Sequence, residues 1–214
     1  MNLTDTHCHL DLDRFDADRD EVITRANEAG VLRMLAPAIN LDSARRILAL
    51  AEQHDNIYAA VGVHPNDAYN WMMTSADEMR QMVAADRAGG TVRKIVAIGE
   101  IGLDHYWKDV PHEVQEAALR QQLALAAELV LPVILHMREH GDETQGSCSD
   151  AMLPIMADWV GKLRTKGSPM ASRPGVFHSF SGSKEVAAAV LEMGFYIGVT
   201  GPITYKKSEY KFRK

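Results

Sequence analysis

Cysteine is scarce in this chain. Only Cys8 and Cys148 occur in 214 residues, too few for a disulfide framework, and a reducing, cytoplasmic setting is expected. No apolar run approaches the roughly 18 residues that a membrane-spanning helix needs, so no membrane partner is expected. The sequence enters a strand pattern at once, and no basic-then-apolar leader is expected. Positive charge is not in excess either. The formal net charge is −6, so no global basic field advertises nucleic-acid binding. A local basic rim or bound cations could still attract phosphates, and Lys108, Arg138, Lys206, Lys207 and Lys211 are candidates for such a rim. Internal repeats, low-complexity tracts and interdomain linkers are lacking, and one domain over 1–214 is expected.

What is present is an alternation. Composition is ordinary for a globular protein, with 46% hydrophobic and 24% charged residues. Short runs rich in Val, Ile, Ala and Leu fall at 3–9, 31–37, 57–63, 94–99, 132–136, 175–178 and 195–199. They do not alternate with polar residues, as in strands covered on both faces. Helical patterns separate them at 16–29, 42–53, 111–129 and 183–193, with another opening at Ser75 and stopping near Gly89-Gly90. Residues 141–149 read as a polar loop, with Cys148 incidental within it. Strand–helix alternation predicts a parallel sheet with helices outside it. Seven repeats favour a TIM-type (β/α)8 barrel lacking its eighth strand, with an open doubly wound sheet as the alternative.

Ionisable residues recur where the apolar runs end. The first run ends in Asp5-Thr6-His7-Cys8-His9-Leu10. Residues i and i+2 of a strand share a face, so His7 and His9 are expected to project together. Cys8 then faces the other way as a small buried hydrophobe. Later runs end in Gly62-Val63-His64-Pro65, Gly99-Glu100-Ile101-Gly102-Leu103-Asp104, Leu135-His136-Met137-Arg138 and Phe177-His178-Ser179-Phe180-Ser181-Gly182. The carboxyl ends of barrel strands form one face, so these residues are expected to converge. Histidines with a glutamate make a nitrogen–oxygen shell suited to Zn, Mn or Fe, or to Mg with more oxygen ligands. His54, His105, His112 and His140 fall at helix ends or in loops and read as solvated or capping residues.

Those five motifs, in that order, resemble the TatD family of metal-dependent deoxyribonucleases. The resemblance runs over essentially the whole chain, and Gly201-Pro202-Ile203-Thr204-Tyr205-Lys206-Lys207-Ser208 is similar to the family's segment after the seventh strand. It implies a (β/α)8 barrel with two divalent metal ions, Mg or Mn for activity and Zn as a further possibility. It implies DNA as substrate, as single strands or 3′ ends. His7 and His9 match ligands of one metal, Glu100 the carboxylate bridging both, and His136 and His178 ligands of the second. Glu100 and His136 are thus the catalytic candidates, and His64, Asp104 and Arg138 match substrate-binding positions. The family pattern continues to a Glu-Thr-Asp motif on an eighth strand, and its Asp completes the metal site. This sequence does not reach that motif, so a closed barrel is expected only where a partner chain or further residues fill the gap.

Two other readings stand beside the nuclease. One is a hydrolase of another ester or amide, such as an aminoacyl-tRNA deacylase, because fold does not fix substrate. The fourth strand ends in Glu100 rather than in a lysine that could be carbamylated, which favours phosphodiester chemistry. The other is an impaired barrel serving as an interaction protein.

Overall fold

The computed structural model describes residues 2–72, 74–89 and 92–201. Seven parallel strands follow one another in sequence order: β1 (Leu3–Asp5), β2 (Val31–Pro37), β3 (Ile57–Val61), β4 (Ile95–Asp104), β5 (Val133–Arg138), β6 (Gly175–Phe177) and β7 (Tyr196–Ile197). Six helices lie between or beside them: α1 (Arg19–Glu28), α2 (Leu41–Gln53), α3 (Ser75–Gly89), α4 (His112–Leu129), α5 (Ser147–Thr165) and α6 (Lys184–Glu192). The sheet curls as in a TIM-type barrel, with β1 and β7 as its two edges among the described residues. Residues 202–214 lie outside the described residues, and with them Lys206, Lys207 and Lys211.

Local chemistry explains where the elements start. Asn40 caps α2, its side-chain oxygen accepting from Ser43 N at 2.9 Å, and the Ser183 hydroxyl accepts from Val186 N at the head of α6. The main core lies between sheet and helices. There Val61, Ile98, Leu103 and Phe177 pack against Leu119, Leu123, Met152 and Ile155. A smaller cluster of Ala60, Ala97 and Ile134 sits apart from it. Ala60 and Ile134 alternate with core-facing neighbours, so this cluster occupies the concave side of the curled sheet. Small residues suit that narrower side.

Three differences from the sequence expectation bear on the site. β1 ends at Asp5, so His7 and His9 follow the strand rather than lie on it. β4 runs on to Asp104, because Ile101, Gly102, Leu103 and Asp104 rejoin the ladder with β5 after an irregularity between Ile98 and Ile101, within which Glu100 falls. The 19-residue α5 is absent from the expected helices, since Pro154 interrupts its interior. Its buried Met152, Ile155, Met156, Trp159, Val160 and Leu163 keep helical spacing all the same. The Glu139 carboxylate accepts from Cys148 N and Ser149 N and so caps this helix from outside it. Cys148 is therefore not a loop residue: it is fully buried, and its Sγ lies 3.4 Å from Leu103 O.

Candidate metal centre

Glu100 collects the histidines. It is 2% exposed and stands within β4, with its two carboxylate oxygens facing different neighbours. His7 Nε2 lies 3.2 Å and His9 Nε2 3.6 Å from Oε2. His136 Nδ1 lies 2.8 Å and His64 Nε2 3.6 Å from Oε1, and His178 Nε2 contacts that same oxygen. The ends of β1, β3, β4, β5 and β6 thus meet at one carboxylate, as the strand-end pattern predicts. His7 and His9 remain together although their strand has ended: their Nε2 atoms are 3.1 Å apart and their rings are edge-on. Cys8 turns away to Leu35 O at 3.5 Å, and burial above all raises its thiol to about 12.

The backbone beneath is held by close approach. Gly102 has φ +151°, and a Cβ there would lie 1.9 Å from His136 O. Glycine is required for β4 to run so near β5 while carrying Glu100 and Asp104.

Electrostatics follow from burial and pairing. Burial alone would raise the Glu100 pKa, but hydrogen bonds from His136, His178 and His7 outweigh it and hold the carboxyl well below its usual range. Burial opposes a charge on His136 too. Hydrogen bonds to Asp104 and Glu100 overcome that and raise its pKa to about 9. Burial, then the neighbouring His136, pushes His64 down to about 3. Burial likewise lowers His9 and His178.

The donor set fits divalent metal ions. Two groups, His7–His9–Glu100 and His64–Glu100–His136, each keep their ligand atoms within 4.8 Å of one another. One carboxylate faces five imidazole rings, and among the described residues the buried Nδ1 atoms of His7 and His178 have no hydrogen-bond partner. Such a crowd of nitrogens with so few protons to share is suited to cations.

The substrate candidates divide. His64 stands beside Glu100, closer to the ligand set than a purely substrate-facing residue need be. Asp104 is 1% exposed and sits behind His136, 2.9 Å from its Nε2. Its other oxygen accepts from Tyr106 N and Trp107 N. Arg138 is exposed and lies over the Tyr106 ring at 3.9 Å. A cavity of about 440 Å3 opens over the histidines, and Ile39, Asn66 and Asp67 also line it. Asn66 and Asp67 stand out in the sequence only by following directly on the His64-Pro65 motif. Asn66 donates to Asp104 at 3.3 Å, and Asp67 accepts from Asn40 at 2.6 Å.

The family profile described as TatD related DNase matches residues 4–213. The chain belongs to the TatD family. It is 35% identical over 207 residues to the uncharacterized metal-dependent hydrolase YabD of Bacillus subtilis, which covers 97% of this chain and 72% of YabD. It is 37% identical over 202 residues to the 3′-5′ ssDNA/RNA exonuclease TatD of Pantoea ananatis, covering 94% of this chain and 66% of that protein. The crystal structure of YjjV, a TatD homologue from Escherichia coli K12, superposes with a TM-score of 0.80 at 35% identity, over 96% of this chain and 71% of YjjV. This TatD protein is accordingly a metal-dependent hydrolase on a TIM-type fold. No helix among its described residues is long and apolar enough to cross a membrane.

Proposed function

We propose that this TatD-family chain is a single-domain cytoplasmic deoxyribonuclease that cleaves phosphodiester bonds in single-stranded DNA or at 3′ ends with two divalent metal ions. The division of Glu100 carries the reading: one oxygen faces His7 and His9, the other His136, His178 and His64. A carboxylate so placed can bridge two cations. Metal ions bound there would stabilise the charge that builds on phosphate oxygens during an in-line displacement. Mg²⁺ or Mn²⁺ suits that work, and the nitrogen-rich set also accepts Zn²⁺.

The chain's own residues have separable tasks. Glu100, held ionised, acts as an acceptor and ligand and not as a proton donor. Asp104 takes His136 Nε2 and so leaves Nδ1 turned towards Glu100. This is the carboxylate–histidine arrangement that fixes a ligand ring. His64, kept neutral by burial, can meet a phosphate oxygen without adding charge. Arg138 offers that charge from the end of β5.

Incubation with single-stranded DNA under Mg²⁺, Mn²⁺ or Zn²⁺, alongside Glu100→Ala, tests the reading. Metal-dependent cleavage that Glu100→Ala abolishes supports it. No cleavage by the unaltered chain, or cleavage unchanged by the substitution, sinks it. The name of the Pantoea relative makes RNA the second polymer to include.

A further inference from the structure

His105 follows Asp104 at the end of β4 and is only 5% exposed, not the solvated loop residue that its position suggests. Its Nδ1 lies 2.7 Å from Ser147 Oγ, and its ring stacks on His112 at 3.5 Å and 2°. Its Nε2 is buried and has no hydrogen-bond partner among the described residues. A cavity of about 490 Å3 opens beside it, walled by His105, Lys108, His112, Glu113, His140 and Ser147. His112 begins α4, whose first turn has no side-chain cap, so backbone N–H groups and the positive end of an 18-residue helix face this region. Burial, then His112, lowers the His105 pKa, so the ring is neutral near pH 7. A Ser147 hydroxyl that donates to Nδ1 would place the neutral ring's one proton on Nε2.

We propose that this cavity is a phosphate-binding pocket, in which Lys108, His105 Nε2–H and the amino end of α4 hold a phosphate group. An unpartnered buried ring nitrogen able to carry a proton, a lysine and a helix amino terminus together suit an anion. Among the described residues Glu113 is the one carboxylate on the wall, and its exposed position keeps it from filling that need. The two sites share their supports. Asp104 grips His136, His105 N donates to Arg138 O at 2.8 Å, and His140 stands two residues beyond Arg138. The phosphate can therefore be free, or it can belong to a strand whose reacting bond lies at Glu100. The strand version rests on the nuclease reading, whereas the pocket itself does not.

The test is a titration of the metal-loaded full chain with inorganic phosphate, followed through the ring signals of His105 and His112 by NMR. Saturable shifts are expected. Lys108→Ala should weaken binding about tenfold, and Glu113→Gln should tighten it. Both side chains are exposed, so neither change threatens the fold. No saturable shift overturns the pocket, and so does weaker phosphate binding in Glu113→Gln. Zn²⁺ moving these signals in place of phosphate, less readily in Glu113→Gln, also overturns it by making the site one for cations. A second arm compares kcat/KM on a dinucleotide and a hexanucleotide. A loss of the longer strand's advantage in Lys108→Ala supports the strand phosphate, and an unaltered ratio overturns that clause. A chain that cleaves neither substrate fails the nuclease reading, while the phosphate titration still decides the pocket.

Discussion

His136 and Asp104 are locked together: His136 Nε2 lies 2.9 Å from Asp104 Oδ2, and both side chains are shielded from solvent. That contact points the other ring nitrogen at Glu100. Partners that orient a ligand histidine typically govern 10- to 100-fold in metal affinity, so Asp104→Asn should weaken metal binding by about that factor while the protein stays folded. Calorimetric titration with Mn²⁺ checks this. Unchanged affinity with a raised KM for DNA would instead return Asp104 to direct substrate contact.

The His136 proton gives a pH dependence of known sign. Its folded pKa, about 9, lies above the ordinary 6.5. In the metal-free protein this pairing contributes stability that is fully present below about pH 6.5 and lost as pH rises through about 9. Metal capture runs the other way, because the cation must displace that proton. Affinity should therefore rise with pH towards about 9, with proton release detectable in buffers of different ionisation enthalpy. His136→Gln should flatten both trends.

Gly102→Ala should cost about 3 kcal/mol or more, since a Cβ would lie 1.9 Å from the backbone oxygen of His136. β4 and β5 would have to part where they carry Glu100 and His136. Thermal unfolding and metal content should fall together, and preserved metal content in a destabilised variant would contradict this coupling.

Val130 ends α4 in the left-handed region, at φ 55°, and is 47% exposed. A β-branched residue is strained there, and little packing is lost on removing it. Val130→Gly should add about 1 kcal/mol and raise the melting temperature by about 2–4 °C, with cleavage unaffected.

The sequence made the histidines around Glu100 legible because each sits where an apolar run stops. His7, His64, His136 and His178 could be picked out before any fold was known, and the parallel topology then brings strand ends together whatever the loops do. Less visible was the direction in which side chains turn. Asp104 sits in a motif beside Glu100, yet it points at His136 because its other oxygen is engaged by Tyr106 N and Trp107 N. His105 is buried by a partner 42 residues away, Ser147, at the head of a helix that Pro154 hides. The first is a local turn of Asp104 onto the following backbone, and the second is a tertiary effect with no local signature. The spacing of His7 and His9 predicted their pairing for a reason only partly met, since the pair converges just past the end of β1 and not on it.

The most direct test of the account is the number of metal ions bound per chain, measured by equilibrium titration with Mn²⁺ on the unaltered protein and on Glu100→Ala. A carboxylate shared between two histidine sets predicts two equivalents in the first and loss of both in the second. A single equivalent in the unaltered protein, or two that survive the removal of Glu100, would contradict it.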